Sequence, residues 1–179
     1  MYTPPSFFEE ELATLHAYIE ENSFATLVTT GSSGSSVSHL SLFIDRDVGP
    51  RHTYRAPGKS LFTLERYGGS GCPGHFSGPA HLHLAQLVQE RNFVPTWNYV
   101  AVHVTGKVQL LEEPSALLDI VRYYVDHYGS VMPGPWQLDS AEPHITESLL
   151  SAIVGFTIEI ESIEGKWKVC QNHSEERRQ

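Results

Sequence analysis

Phe8, Leu12, Leu15 and Ile19 recur at helical spacing, and Ser6-Phe7-Phe8-Glu9 before them is an S-x-x-E capping box. An amphipathic helix is predicted from there to about Glu21. Phe24 to Thr30 (FATLVTT) is rich in β-formers, GSSGSS is a turn, and Val37 to Asp45 (VSHLSLFID) alternates as the returning strand of a hairpin. Asp45-Arg46-Asp47-Val48-Gly49-Pro50 predicts a second turn. Tyr99 to Leu111 carries the longest strand pattern, with Gly106 as its expected bulge or bend. Pro114 suits the first turn of a helix whose inner face is Leu117, Leu118, Val121, Tyr124, Val125 and Tyr128, with Gly129 as its C-cap. Another helix is expected from near Ser140 to before Gly155, then a half-buried strand from Phe156 to Ile163. QNHSEERRQ, at 171–179, is a polar tail.

Between Arg51 and Val88 the pattern fails. The segment holds six glycines, three prolines and four of the ten histidines, and neither period 2 nor period 3.6 persists. A structureless loop of this length inside a compact domain argues against the reading that produces it.

At 179 residues the chain suits a single domain spanning 1–179, made of an N-terminal helix and hairpin (1–50), the atypical segment (51–88) and strands and helices over 89–170. No apolar run reaches membrane-spanning length and MYTPPSFFEEE lacks a secretory signature, so a cytoplasmic protein is expected. Cys72 and Cys170 make no disulfide framework or zinc spacing. A formal charge of −9 disfavours nonspecific nucleic-acid binding, which needs clustered Lys and Arg.

Several stretches carry candidate chemistry. Gly69 to Gly74 matches G-x-G-x-x-G, but without a strand before it and a helix after it the fingerprint has no pyrophosphate to cradle. His81 and His83 would share one face of a strand, within reach of a zinc shared with His75 or His52, though no carboxylate or cysteine stands at useful spacing, and no metal site is expected. GSSGSS has neither the P-loop lysine nor G-x-S-x-G, which leaves a solvated hairpin loop. Of Ser38 and His39, one must face inward and find a partner, either protein or ligand. Trp97, Asn98 and Tyr99 offer amphipathic aromatics for a planar ligand, a dimer contact or an aromatic corner. Glu164-Gly165 reads as a turn before a cationic strand end, where Lys166 and Lys168 either hold a phosphate or guard an exposed edge. No catalytic acid, base or nucleophile stands out.

MYTPPSFFEEE, FATLVT, SHLSLFID, VPTWNYVAVHVTGKV, PWQLD, IVGF and EGKWKVCQN, in that order, resemble the PaiB family of FMN-binding negative transcriptional regulators. The resemblance covers about three-quarters of the chain, and VPTWNYVAVH and EGKWK..QN are its most specific parts. It implies an α+β fold: an FMN-binding split β-barrel, shaped like the pyridoxamine-phosphate oxidases, with flanking helices. It also implies a homodimer with FMN pockets between protomers. The cofactor-binding positions it implies are Ser38 and His39 on a barrel strand, Trp97 and Asn98 near the ring or dimer seam, and Lys166 and Trp167 near the partner protomer.

The missing quarter is Arg51 to Val88, where family members resemble GTLIGHxARANP followed by VLAIFQGPHAYISPSWY. Read one nucleotide later with permitted synonymous codons, RHTYRAPGK becomes GTLIGHRA, GCPGHFSGP becomes DVLAIFQG, and GPAHLHLAQLV continues as GPHIYISPSWY. Three recoveries in the right order predict that 51–88 is translated out of the family's frame, between compensating indels near Pro50 and Gln89. His81 and His83 are then the shadow of a strand bearing isoleucines and a tyrosine. The barrel is expected to be incomplete over 51–88, with exposed strand edges.

Three functions follow. A transcriptional repressor would act through DNA or a protein partner; the acidic balance and lack of a helix-turn-helix pattern speak against direct DNA contact. A small flavin- or haem-dependent oxidoreductase draws on fold analogy alone. A cofactor-free dimerisation module gains from the absence, as written, of the phosphate-facing GHxARANP.

Overall fold

The computed structural model describes residues 1–31, 34–45, 53–58, 72–83, 96–111 and 113–171, the strands at 53–58 and 72–83 through their backbone. A short 3₁₀ turn at Pro5–Phe7 leads into β1 (Phe8–Glu9), followed by α1 (Leu12–Glu21), β2 (Phe24–Gly31), β3 (Gly34–Ser41) and β4 (Phe43–Asp45). Then come β5 (Thr53–Gly58), β6 (Cys72–His83), β7 (Thr96–Leu111), α2 (Pro114–Gly129), α3 (Pro143–Ser151) and β8 (Val154–Lys168). One antiparallel sheet runs β3-β2-β6-β7-β8-β5-β4, with β1 pairing β8 beside this path.

The two ends of that path are neighbours in the chain. β3 and β4 are separated only by Leu42, which is fully buried and whose amide donates to the Ser23 carbonyl at 2.9 Å. A single strand bent at Leu42 therefore forms both edges, one half pairing β2 and the other pairing β5.

Strand alternation decides what lies inside. Ala25 and Leu27 of β2, Val102 and Val104 of β7, and Phe156 and Ile158 of β8 are buried together with Leu42 and Ile44. Leu15 and Ile19, one turn apart on α1, join the same core. Gly165 lets α1 approach: a Cβ there would collide with Leu15 and come within 2.7 Å of the Trp167 ring. Gly106 sits where the β7–β8 register shifts, and a Cβ there would strike the Glu159 carbonyl, so the expected bulge is real.

α2 buries Leu117 and Ile120, and presents rings to Phe43 of β4. Tyr123, Tyr124, His127 and Tyr128 all lie within 5.7 Å of the Phe43 ring centroid. Tyr124 donates its hydroxyl to the Ser41 carbonyl, and Tyr128 donates to Ser41 Oγ at 2.9 Å. These bonds fasten α2 to the bend between β3 and β4.

Several expectations are corrected. The capping box does not open a helix: Phe8 and Glu9 are captured as a strand by Lys166 and Gly165, and α1 starts at Leu12 with the Glu11 carboxylate accepting from the Ala13 amide. Gly129 is the last helical residue, and Ser130 caps α2 in a right-handed conformation. Glu164 and Gly165 are strand rather than turn. The barrel was expected to be incomplete over 51–88: the sheet does not close, and among the described residues of that segment β5 pairs β4 and β8 while β6 pairs β2 and β7. Sheet pairing is main-chain hydrogen bonding, which flanking strands can template whatever the side chains. The rest of that segment, and the turn expected at 46–50, lie outside the described residues.

Candidate functional site

The C-terminal half of β8 and the first residues of β7 meet in a run of direct pairs: Tyr99 with Lys168, Val100 with Trp167, Ala101 with Lys166 and Val102 with Gly165. Val102 faces the core, so alternation sends Val100, Trp167 and Gly165 inward and Tyr99, Ala101, Lys166 and Lys168 to the outer face.

Lys166 is buried on that outer face, only 8% exposed. Its Nζ donates to the Tyr2 carbonyl at 2.9 Å and stands 5.8 Å from the Tyr2 ring centroid and 5.3 Å from that of Tyr99. Among the described residues no carboxylate pairs with it. Cation–π contacts contribute on the order of 0.5–2 kcal/mol each, whereas removing an ammonium from water costs several kcal/mol. Among the described residues, one carbonyl and two ring faces offset that penalty incompletely, which suits this ammonium to an anion.

Lys168 extends the cationic end by bonding Thr96 Oγ1. Trp97, 54% exposed, provides a large accessible aromatic surface on the same strand. Asn98 and the buried Cys170 exchange contacts: Nδ2 lies 3.1 Å from Sγ, and the thiol lies 3.2 Å from Oδ1. Cys170 takes φ +63°, a left-handed conformation that closes the turn after β8. Trp167 packs on the core, edge-on to Tyr18 with ring centroids 5.4 Å apart, and Tyr18 donates to the Val100 carbonyl at 3.1 Å.

The six positions implied by the sequence thus fall into two groups. Trp97, Asn98, Lys166 and Trp167 converge on the β7–β8 end. Ser38 and His39 stand on β3, one end of the strand order, and share no strand with the β7–β8 end. Ser38 pairs with Leu27 and so faces inward, while His39 pairs with Thr26 and is exposed. Of the two rings that cage Lys166, Tyr99 belongs to the aromatic cluster expected to face a planar ligand, whereas Tyr2 was not expected there. The contact of Tyr2 across the fold left no local signal. Of the histidines weighed for zinc, His75, His81 and His83 stand in β6 and His52 lies outside the described residues. Gly74 is also strand, so no helix opens after the glycine fingerprint.

The donor set suits a phosphorylated planar group: two ammonium groups on one face, Tyr99 beside Lys166, and Trp97 two residues from Tyr99 on the same strand. Comparison with known proteins agrees. Residues 1–162 match the family model described as "Putative FMN-binding domain". The chain belongs to this family. It is 32% identical over 183 residues to the protease synthase and sporulation protein PAI 2 (PaiB) of Bacillus subtilis strain 168, spanning 98% of this chain and 84% of that protein. Among solved structures it resembles the flavocytochrome Anf3 from Azotobacter vinelandii, with TM-score 0.67 and 16% identity over 96% of this chain and 74% of that one. It also resembles a conserved hypothetical protein of Mycobacterium tuberculosis, with TM-score 0.64 and 14% identity over 97% of this chain and 94% of that one. The fold is a split barrel shared with these proteins. No helix among the described residues is long and apolar enough to cross a membrane.

Proposed function

We propose that this protein is a cytoplasmic negative transcriptional regulator of the PaiB kind, a homodimer that binds FMN on its split barrel. The observation that carries the cofactor is Lys166, a buried ammonium with no carboxylate partner among the described residues, beside Tyr99, Trp97 and Lys168. Lys166 and Lys168 hold the phosphate, Trp97 and Tyr99 cover the ring, and Asn98 and Trp167 fix the strand ends that position them. Ser38 and His39 stand on a different strand, β3, and in the dimer a second protomer would supply them. Bound FMN supplies a redox-active ring.

The regulatory role draws on family membership and on near full-length similarity to PAI 2. With a net charge of −9, contact with promoter DNA through a protein partner fits better than direct binding. FMN titration followed by flavin fluorescence, with sedimentation to give the oligomeric state, tests the cofactor and the dimer. A salt-dependent shift of promoter DNA tests direct repression. NAD(P)H turnover by flavin-loaded protein would replace the regulator with the oxidoreductase reading. Protein that stays colourless and binds no flavin would favour a cofactor-free dimerisation module.

A further inference from the structure

The first residues of the chain lie directly over the Lys166 ammonium. Tyr2 contributes both its carbonyl, at 2.9 Å, and a ring face, yet its side chain is 85% exposed. Its hold is therefore mostly through the main chain. The other attachments are slight. The Met1 amine pairs with Glu164, itself half exposed, at 2.5 Å, and only Phe8 and Glu9 join the sheet. Between them Thr3 Oγ1 is buried without a hydrogen-bond partner among the described residues, so the segment is imperfectly satisfied where it lies. Beneath it Lys166 is nine-tenths buried, and its one hydrogen-bond acceptor among the described residues belongs to this segment.

We propose that residues 1–7 form a strap that occludes Lys166 and is displaced by a phosphorylated ligand, whose phosphate oxygens replace the Tyr2 carbonyl. This rests on the flavin-nucleotide reading above and adds a regulatory step to it. An exposed strap with few anchors is inexpensive to lift, and an anion satisfies an ammonium better than a neutral carbonyl does. The apparent affinity for FMN then falls by the fraction of molecules whose strap is open.

Deletion of residues 2–5 tests this, with FMN and riboflavin titrated in parallel against the full and shortened chains. The expected result is FMN binding about tenfold tighter to the shortened chain, as for a strap closed in roughly nine molecules of ten. Riboflavin, which has no phosphate to displace the carbonyl, should gain far less from FMN-like contacts and show little preference for either chain. Amide exchange at residues 2–7 of the full chain should quicken when FMN is added. Should the deletion fail to fold, Tyr2→Gly combined with Glu164→Gln loosens the same anchors in the intact chain. FMN binding that is unchanged or weakened in the loosened chain, or exchange that slows with FMN, overturns the strap while leaving the flavin site standing. Absence of FMN binding to either chain overturns both.

Discussion

β7 with β8, and β5 with β6, occupy the same sheet but are specified differently. In the first pair, sequence and pairing agree: alternation places Val102, Val104, Phe156 and Ile158 in the core, and the register runs from Tyr99–Lys168 to Leu111–Gly155 with one shift at Gly106. In the second pair the backbone is bonded on both sides while the sequence offers little reason for it. Pro57 and Pro73 stand inside β5 and β6, each paired on one side, and Pro79 falls at the register shift between β6 and β7; none has an amide to donate. Gly74 is the register partner of both Leu27 and Val104, two core residues. The out-of-frame reading expects alanine at 74, valine at 72 and isoleucine at 54. Neighbouring strands can template pairing, but side chains give a strand its stability and its unique register.

The comparison can be sharpened most by restoring the family's frame over 51–88. Six to eight buried side chains at about 1.5–3 kcal/mol each rival the whole stability of a domain, about 5–15 kcal/mol. The restored chain should therefore resist urea with a gain of at least ~5 kcal/mol; equal midpoints and slopes would end the out-of-frame reading. Next, Phe156→Ala should cost about 3–5 kcal/mol. Tyr54→Ala, at the residue paired with Ile158 on the poorly specified side, should cost less than ~1 kcal/mol. Similar losses for both in urea melts would erase the distinction.

A smaller effect is expected at Gly165, where alanine meets Leu15 and Trp167 and should destabilise by about 1–3 kcal/mol in the same assay. Tyr124→Phe should cost about 0.5–1.5 kcal/mol at neutral pH through its lost bond to Ser41. Burial raises the Tyr124 phenol well above its usual range, so the folded state keeps a proton that the unfolded chain releases near pH 10. Its stabilising contribution is complete below that pH and declines as pH rises toward the folded value. Alkaline melting should reveal a steeper loss for the native chain than for the phenylalanine variant. Smallest of all is Arg122→Ala: its pair with Asp139 at 3.0 Å is exposed on both sides, and no measurable shift in melting temperature is expected.

Much of this fold was legible because its strongest signals were local. The alternation of FATLVTT and of the 99–111 strand, and the helical spacing of Leu15 and Ile19, survive in the folded chain. Misreadings arose where a distant partner outweighed local preference. Ser6 to Glu9 has the form of a helix cap, but β8 recruits Phe8 and Glu9 as strand. Glu164-Gly165 has turn composition, but Gly165 is needed inside β8 where Leu15 and Trp167 crowd it. The site was legible in part for the same reason. The motif around Lys166 and Trp167 marked its location, while Tyr2, 164 residues away in sequence, belongs to it only through folding.

The bend at Leu42 bears on how this sheet meets other molecules. Open sheets expose two rims on which a foreign strand can grow, and usually each rim must be guarded separately. Here both rims are consecutive lengths of one covalent strand, fastened at their junction by Ser23 and by the tyrosines of α2. Peeling either rim outward pulls on the other, so the chain itself acts as a seam that side-chain substitution along the strand leaves intact.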